Sequence, residues 1–252
     1  MGPIGMHGHV TVDGVRLHHV TAGSGPDVVL LHGFPETWFT WRHQVPHLAA
    51  RHRVTAFDLP GYGGSGPLPA RSGYRAPAVA ELLRRALAEL GRDRPVLVGH
   101  DWGGLVAWCL ALAHPGAVRA LAVLGCPHPS QVDQISLANP RQLARSAYMF
   151  GFRLPVVPEL VLRWAGPLAA RGIVRDRAAR LAWRQELSRG DPRAMLDYYR
   201  NLPALRGRAW PSLRVPALLV WSRRDAFLGA ELAAASQRVE PGLSVAYLPG
   251  AG

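Results

Sequence analysis

Residues 95–104 read PVLVGHDWGG, and the reading of this stretch decides the fold. An apolar run from Pro95 to Val98 enters a turn that has glycine two positions before Asp101 and two positions after it. A strand that turns sharply into a helix needs small residues there, because larger side chains would meet a strained backbone. The pattern is a nucleophile elbow with aspartate where serine is common. A carboxylate is poorly suited to acyl transfer, but it can displace a leaving group from an sp³ carbon and form an alkyl ester. Epoxides and alkyl halides are the electrophiles that suit it. The alternative is a plain strand-to-helix turn whose aspartate caps a helix predicted over Leu105–His114.

Working outward, the pattern alternates strand and helix. His9–Asp13 and Arg16–Thr21 flank an Asp-Gly pair and predict an antiparallel hairpin. Strands are predicted at Asp27–His32, Arg53–Asp58, Pro95–His100 and Val118–Gly125, with helices at Trp38–Ala50 and Ala76–Leu90 between them. This order predicts an α/β fold with a mostly parallel sheet covered by helices on both faces. From about Ser130 to Trp210 the chain becomes helical, proline-broken and rich in arginine and aromatics. Strand character returns at Ala217–Trp221, followed by a helix at Glu231–Arg238 and a strand at Leu243–Leu248. The expected division is a core over 1–128, an inserted helical cap over 129–211, and the rest of the core over 212–252.

Composition narrows the function classes. A chain of 252 residues with 48% hydrophobic and 18% charged residues is long enough for one large core and has the balance of a globular protein. No apolar run approaches the ~20 residues of a membrane span, and the start MGPIGMHGHV lacks the basic and apolar segments of a secretory signal. A cytoplasmic location is therefore expected. The net charge of +12 raises the question of nucleic acid, but all 29 basic residues are arginine, spread along the chain as GC-rich coding would spread them. Nucleic-acid binding is not expected, since a basic footprint is localised. Cys109 and Cys126 have no metal or redox spacing, so reduced thiols are expected and no metal site is read.

A carboxylate nucleophile needs donors for developing negative charge and a means of cleaving its ester. His32-Gly33-Phe34-Pro35 follows the third strand, where a loop can aim a backbone N–H at the elbow. The amides of Phe34 and Trp102 are the oxyanion-hole candidates, and His32 is expected to support the loop. Asp58, ending a strand before Pro-Gly, reads as a turn former. His100 adjoins Asp101, but neighbours on a strand point to opposite faces, which argues against it as a base.

Three ordered segments, HGFPETWFTWRHQVPHL from His32, DLPGYGGSG from Asp58 and GHDWGG from Gly99, resemble the α/β-hydrolase-fold epoxide hydrolases. The similarity runs from about Val28 to Gly252. Haloalkane dehalogenases share the aspartate elbow and Trp102, yet their loop carries asparagine where this chain has Phe34. The resemblance implies two cap tyrosines that hydrogen-bond the epoxide oxygen as the ring opens. Tyr148, in SAYMFGFRLPVVPE, and Tyr199, in DYYRNLPAL, match them, with Tyr198 as the neighbouring alternative. It further implies that Asp225, in SRRDAFLGAE after the Ala217–Trp221 strand, orients a general-base histidine. Pro35, Trp38 and His128 are the candidate substrate-lining residues, and His128 is the spare histidine to test as a base; a solvated loop histidine is its alternative.

The family carries its base after a glycine that follows the last strand, then a closing helix. This sequence reads LPGAG to Gly252, the residue that matches the one before that histidine. The expectation is either a piece of a longer protein or a chain that opens epoxides but hydrolyses its ester poorly, with apolar sheet surface uncovered and reduced stability. No cofactor is implied, the expected reactants are a small apolar epoxide and water, and a homodimer is left open. The alternative functions are a haloalkane dehalogenase and a non-catalytic small-ligand-binding homologue.

Overall fold

The structure is a computed structural model that describes residues 4–132, 140–164 and 177–250. Residues 133–139 and 165–176 of the expected cap lie outside the described residues, as does Gly252.

The Asp-Gly signal is met by β1 (Met6–Val12) and β2 (Val15–Ala22), an antiparallel pair closed by Asp13 at φ 49° and Gly14 at φ 77°. Positive φ at both turn residues matches the twist of the flanking strands. After the hairpin come β3 (Asp27–Leu31), α1 (Gln44–Ala49), β4 (Arg53–Phe57), α2 (Ala76–Glu89), β5 (Val96–His100), α3 (Trp102–Ala113) and β6 (Ala120–Leu124). The predicted Trp38–Ala50 helix is split, with a 3₁₀ turn at Trp38–Trp41 preceding α1.

Between β6 and β7 (Ala217–Ser222) the described residues are helical. They include α4 (Pro140–Arg145), α5 (Tyr148–Gly151), α6 (157–164), α7 (Arg177–Ser188) and α8 (Pro192–Asn201). Helix α9 (Glu231–Val239) and β8 (Ser244–Leu248) follow.

The eight strands form one sheet in the order β1-β2-β4-β3-β5-β6-β7-β8, antiparallel at β1-β2 and β2-β4 and parallel elsewhere. The alternation along β3 shows how the faces are covered. Val29 and Leu31 pack with α2 and α3, whereas Val28 and Leu30 pack with Trp38, Trp41 and Val45. On the far edge Leu218 and Leu248 are exposed.

Strand order reverses at β3, with β4 on one side and β5 on the other. Ligands of open α/β sheets bind at such a reversal, beyond the carboxyl ends of the strands. The HGFP loop leaves β3 there and the elbow leaves β5. Asp58, the predicted turn former, is fully buried and ties the segment after HGFP to its own turn and to β2, accepting from Trp38 N–H (2.7 Å), Gly64 N–H (2.9 Å) and His18 Nδ1 (2.8 Å).

Candidate active site

The elbow has the close contacts its glycines implied. A Cβ on Gly99 would lie 2.4 Å from the Gly103 carbonyl oxygen, and one on Gly103 would lie 2.4 Å from that of Leu31. Asp101 sits between them at φ 49°, ψ −118°, outside strand and helix geometry, a strain that costs on the order of 1–3 kcal/mol. Its carboxylate makes no side-chain cap for α3. Instead Oδ1 accepts the Phe34 N–H at 2.9 Å, and the Trp102 N–H is a second donor to the carboxylate. Both predicted oxyanion-hole amides thus address the Asp101 side chain. His32 supports the loop as expected, its Nδ1 bonded to the Gly33 carbonyl (2.8 Å) and its Nε2 accepting the Leu59 N–H (2.9 Å).

Asp101 opens onto a cleft of about 480 Å³ shared with Trp102, Leu105, Cys126, Tyr148, Met149, Tyr199 and Leu228, among others. The two tyrosine rings are 6.3 Å apart, edge to face. Burial raises the pKa of both, and the nearby Asp101 charge raises it further, so both hydroxyls are held as donors. The Trp102 indole is bonded to the Tyr199 side chain, and the Phe34 and Phe152 rings pack on Tyr199 at 5.1 and 5.0 Å. Tyr198, one helical step away, points elsewhere. It is fully buried beside Tyr62 and Tyr74, and its hydroxyl donates to the Pro60 carbonyl at 3.2 Å.

Asp225 lies in the loop after β7, where Oδ1 accepts from Phe227 N–H and Leu228 N–H, both at 2.8 Å. Its Oδ2 and the His100 Nε2 border the same space, 3.8 and 4.0 Å from where a Gly125 Cβ would stand. The Gln142 side chain of α4 holds this loop by donating to the Phe227 carbonyl (2.7 Å) and accepting the Gly229 N–H (2.9 Å).

None of the three candidate substrate-lining residues is among those that line the cleft. Trp38 is buried among Val20, Val28 and Leu30 on the opposite sheet face, since the loop residues after Pro35 turn back over β3 and β4. His128 is buried against Trp108, with Nδ1 on Ser130 (2.8 Å) and Nε2 3.7 Å from Glu240; burial lowers its pKa to about 4. Its neighbour Pro127 faces the cleft, and the ring points away. Pro35 follows Phe34 through a cis peptide and is not among the residues that line the cleft.

Glu36 was missed from sequence, and His100 was set aside there as a base. Glu36 Oε2 is 3.1 Å from His100 Nδ1, and Glu36 Oε1 accepts from Thr40 Oγ1 at 2.9 Å. Burial would lower the His100 pKa, but the Glu36 bond and the charges of Glu36, Asp101 and Asp225 raise it to about 9. Burial would raise that of Glu36, yet His100 and Thr40 leave it lowered. For Asp101, burial wins and the pKa is raised, with the His100 charge and the Phe34 and Trp102 donors opposing it. The available signal was the position of Glu36 directly after HGFP. Among the described residues no cluster of His, Cys, Asp and Glu is arranged to hold a metal ion.

Residues 26–239 match the protein-family model described as alpha/beta hydrolase fold. Epoxide hydrolase 3 of Xenopus tropicalis is 36% identical over 248 residues, covering 90% of this chain and 67% of that protein. The crystal structure of Bacillus megaterium epoxide hydrolase in complex with an inhibitor superposes with a TM-score of 0.87 at 26% identity, covering 97% of this chain and 92% of the other. Epoxide hydrolase A from Mycobacterium thermoresistibile gives 0.83 at 28% identity, covering 98% and 92%.

Proposed function

The chain belongs to the α/β-hydrolase-fold epoxide hydrolases, and on that premise we propose that it opens small apolar epoxides with Asp101 as nucleophile and Tyr148 and Tyr199 as donors to the ring oxygen. One observation carries the proposal: a part-buried carboxylate, pinned at Oδ1 by the Phe34 amide, opens onto the same cleft as the buried Tyr199 and the part-buried Tyr148. Pinning Oδ1 leaves Oδ2 to attack the less hindered epoxide carbon. That carbon–oxygen bond breaks, its electron pair passes to the ring oxygen, and a tyrosine hydroxyl supplies the proton, giving a hydroxyalkyl ester of Asp101. Helices of residues 129–211 act as the cap that supplies these donors.

Hydrolysis of the ester requires water to attack its carbonyl carbon. The oxyanion so formed would stand at the Phe34 and Trp102 amides, and such donors each contribute roughly 2.7–4 kcal/mol in other enzymes. The proton of that water needs a neutral base. His100 is protonated near neutrality and serves as a charge that keeps Asp101 ionised, not as that base. His128 is held away from the cleft. Asp225 is the acid that would orient an imidazole at this position.

Intact-mass measurement after incubation with styrene oxide tests this. The expected result is a single adduct mapped to Asp101, no adduct in Asp101→Asn, and adduct formation slowed on the order of 10²-fold in Tyr148→Phe or Tyr199→Phe. An adduct that survives Asp101→Asn overturns the nucleophile.

A further inference from the structure

In helix α6 the polar and apolar faces are reversed relative to the usual arrangement of a surface helix. Val157, Leu160, Val161 and Trp164, spaced i, i+3, i+4 and i+7, form one stripe, and that stripe is exposed, reaching 74% at Trp164. The opposite face is the one turned inward, with Pro158 buried and Glu159 Oε1 paired to Arg200 Nη2 at 2.7 Å. Arg200 also donates to the Leu154 carbonyl (2.7 Å) and pairs with Asp197 (3.2 Å), and its own side chain is buried. These bonds fix the rotation of the helix, so the apolar stripe cannot turn inward without breaking the Glu159–Arg200 ion pair. The segment leading into α6 continues the surface with exposed Phe150, Leu154 and Val156. Contiguous exposed apolar area of this kind marks a contact site on a soluble protein.

Charge selects the occupant. Residues 129–211 contain fourteen of the 29 arginines and six of the seventeen acidic residues, so they carry +8 of the net +12. Arg153 and Arg163, both exposed, interleave with the apolar stripe. A second copy docked here would bring two strongly cationic caps together, which like-charge repulsion opposes. An anionic lipid surface is attracted instead. It also accepts apolar side chains to the headgroup depth at which tryptophan is favoured.

We propose that residues 150–164 form an interfacial docking surface for anionic lipid bilayers, holding the protein on the membrane without spanning it. Among the described residues no helix is long and apolar enough to cross a membrane. The surface adjoins the cleft: Phe150 and Arg153 line a second cavity of about 380 Å³ that shares Met149, Tyr199 and Leu202 with the Asp101 pocket. A bilayer-bound protein would present that mouth to the lipid phase, where small apolar molecules concentrate. The docking itself does not depend on the Asp101 chemistry.

Co-sedimentation with vesicles of phosphatidylcholine, with and without phosphatidylglycerol, tests the proposal. The expected result is partitioning onto the anionic vesicles that weakens as salt is added. Leu160→Ser with Trp164→Ser should reduce it about tenfold or more. Arg163→Glu, which leaves the apolar stripe and the mouth of the cleft intact, should reduce it about fivefold. Circular dichroism and Asp101 adduct formation in free solution should be unchanged in both variants, which separates this test from that of the reaction. No binding to anionic vesicles, binding that neither variant alters, or a concentration-dependent dimer that Leu160→Ser with Trp164→Ser dissociates would each overturn it.

Discussion

In the proposed reaction Asp101 is the nucleophile, and its ionisation depends on the adjacent His100, which Glu36 holds from a different loop. Burial pushes its carboxyl above the ordinary 3.8, and the imidazolium of His100, itself held by Glu36, pulls it back. Attack requires the ionised carboxylate, so ester formation should fall as pH drops through the raised Asp101 pKa. Below about pH 9 His100 is charged and favours ionisation; removing that charge removes the opposition to burial. His100→Gln should therefore shift the acid limb of adduct formation to higher pH, measured as initial alkylation rate against pH. An acid limb that does not move would exclude His100 from this role. Strand alternation argued against His100 as a base, and the role given to it here is that of a charge beside Asp101, whose φ of 49° departs from strand geometry.

At the scale of elements, the β5–α3 elbow works because two backbones approach within carbonyl contact of glycine. Gly99→Ala or Gly103→Ala places a Cβ 2.4 Å from a backbone oxygen that no side-chain rotation can move. Each should cost roughly 1–3 kcal/mol or more, read as a lowered midpoint in urea. Gly116→Ala, with nothing within 4 Å of the new Cβ, should leave the midpoint within error. Equal midpoints for all three would show that the elbow tolerates a methyl group. In α8 the adjacent Tyr198 and Tyr199 are separated by a helical step, which sends one hydroxyl to Pro60 and the other ring to the cleft. That choice was legible from the motif. The outward apolar face of α6 was not, because helical spacing identifies a stripe without saying what it meets.

For the whole molecule, buried histidines make stability depend on pH. His19 and His128 have pKa values lowered to about 4, the first by burial and the charges of His18, Arg92 and His9, the second by burial. In the unfolded chain both return to about 6.5 and bind protons more readily than in the fold. Their contribution is therefore complete above pH 6.5 and is lost as pH falls toward 4, at about 3 kcal/mol for His128 and less for His19, whose charge solvent partly screens. Thermal midpoints should drop steeply across that window, and His19→Gln with His128→Gln should flatten the decline; a wild-type midpoint constant from pH 7 to 4 would contradict it. Such burial was not visible in the sequence, where His128 was weighed as a pocket or solvated residue. Sequence alone determined the hairpin at Asp13-Gly14, the strand and helix order, the elbow and the pairing of Asp101 with the Phe34 and Trp102 amides. These rest on short-range spacing and on backbone geometry that only certain residues permit. Tertiary structure alone decided that Glu36 meets His100, that Asp225 borders the same space, that Trp38 and His128 face away, and that α6 turns its apolar stripe outward. Periodicity specifies which residues share a face, and only the packing of distant elements specifies what that face touches.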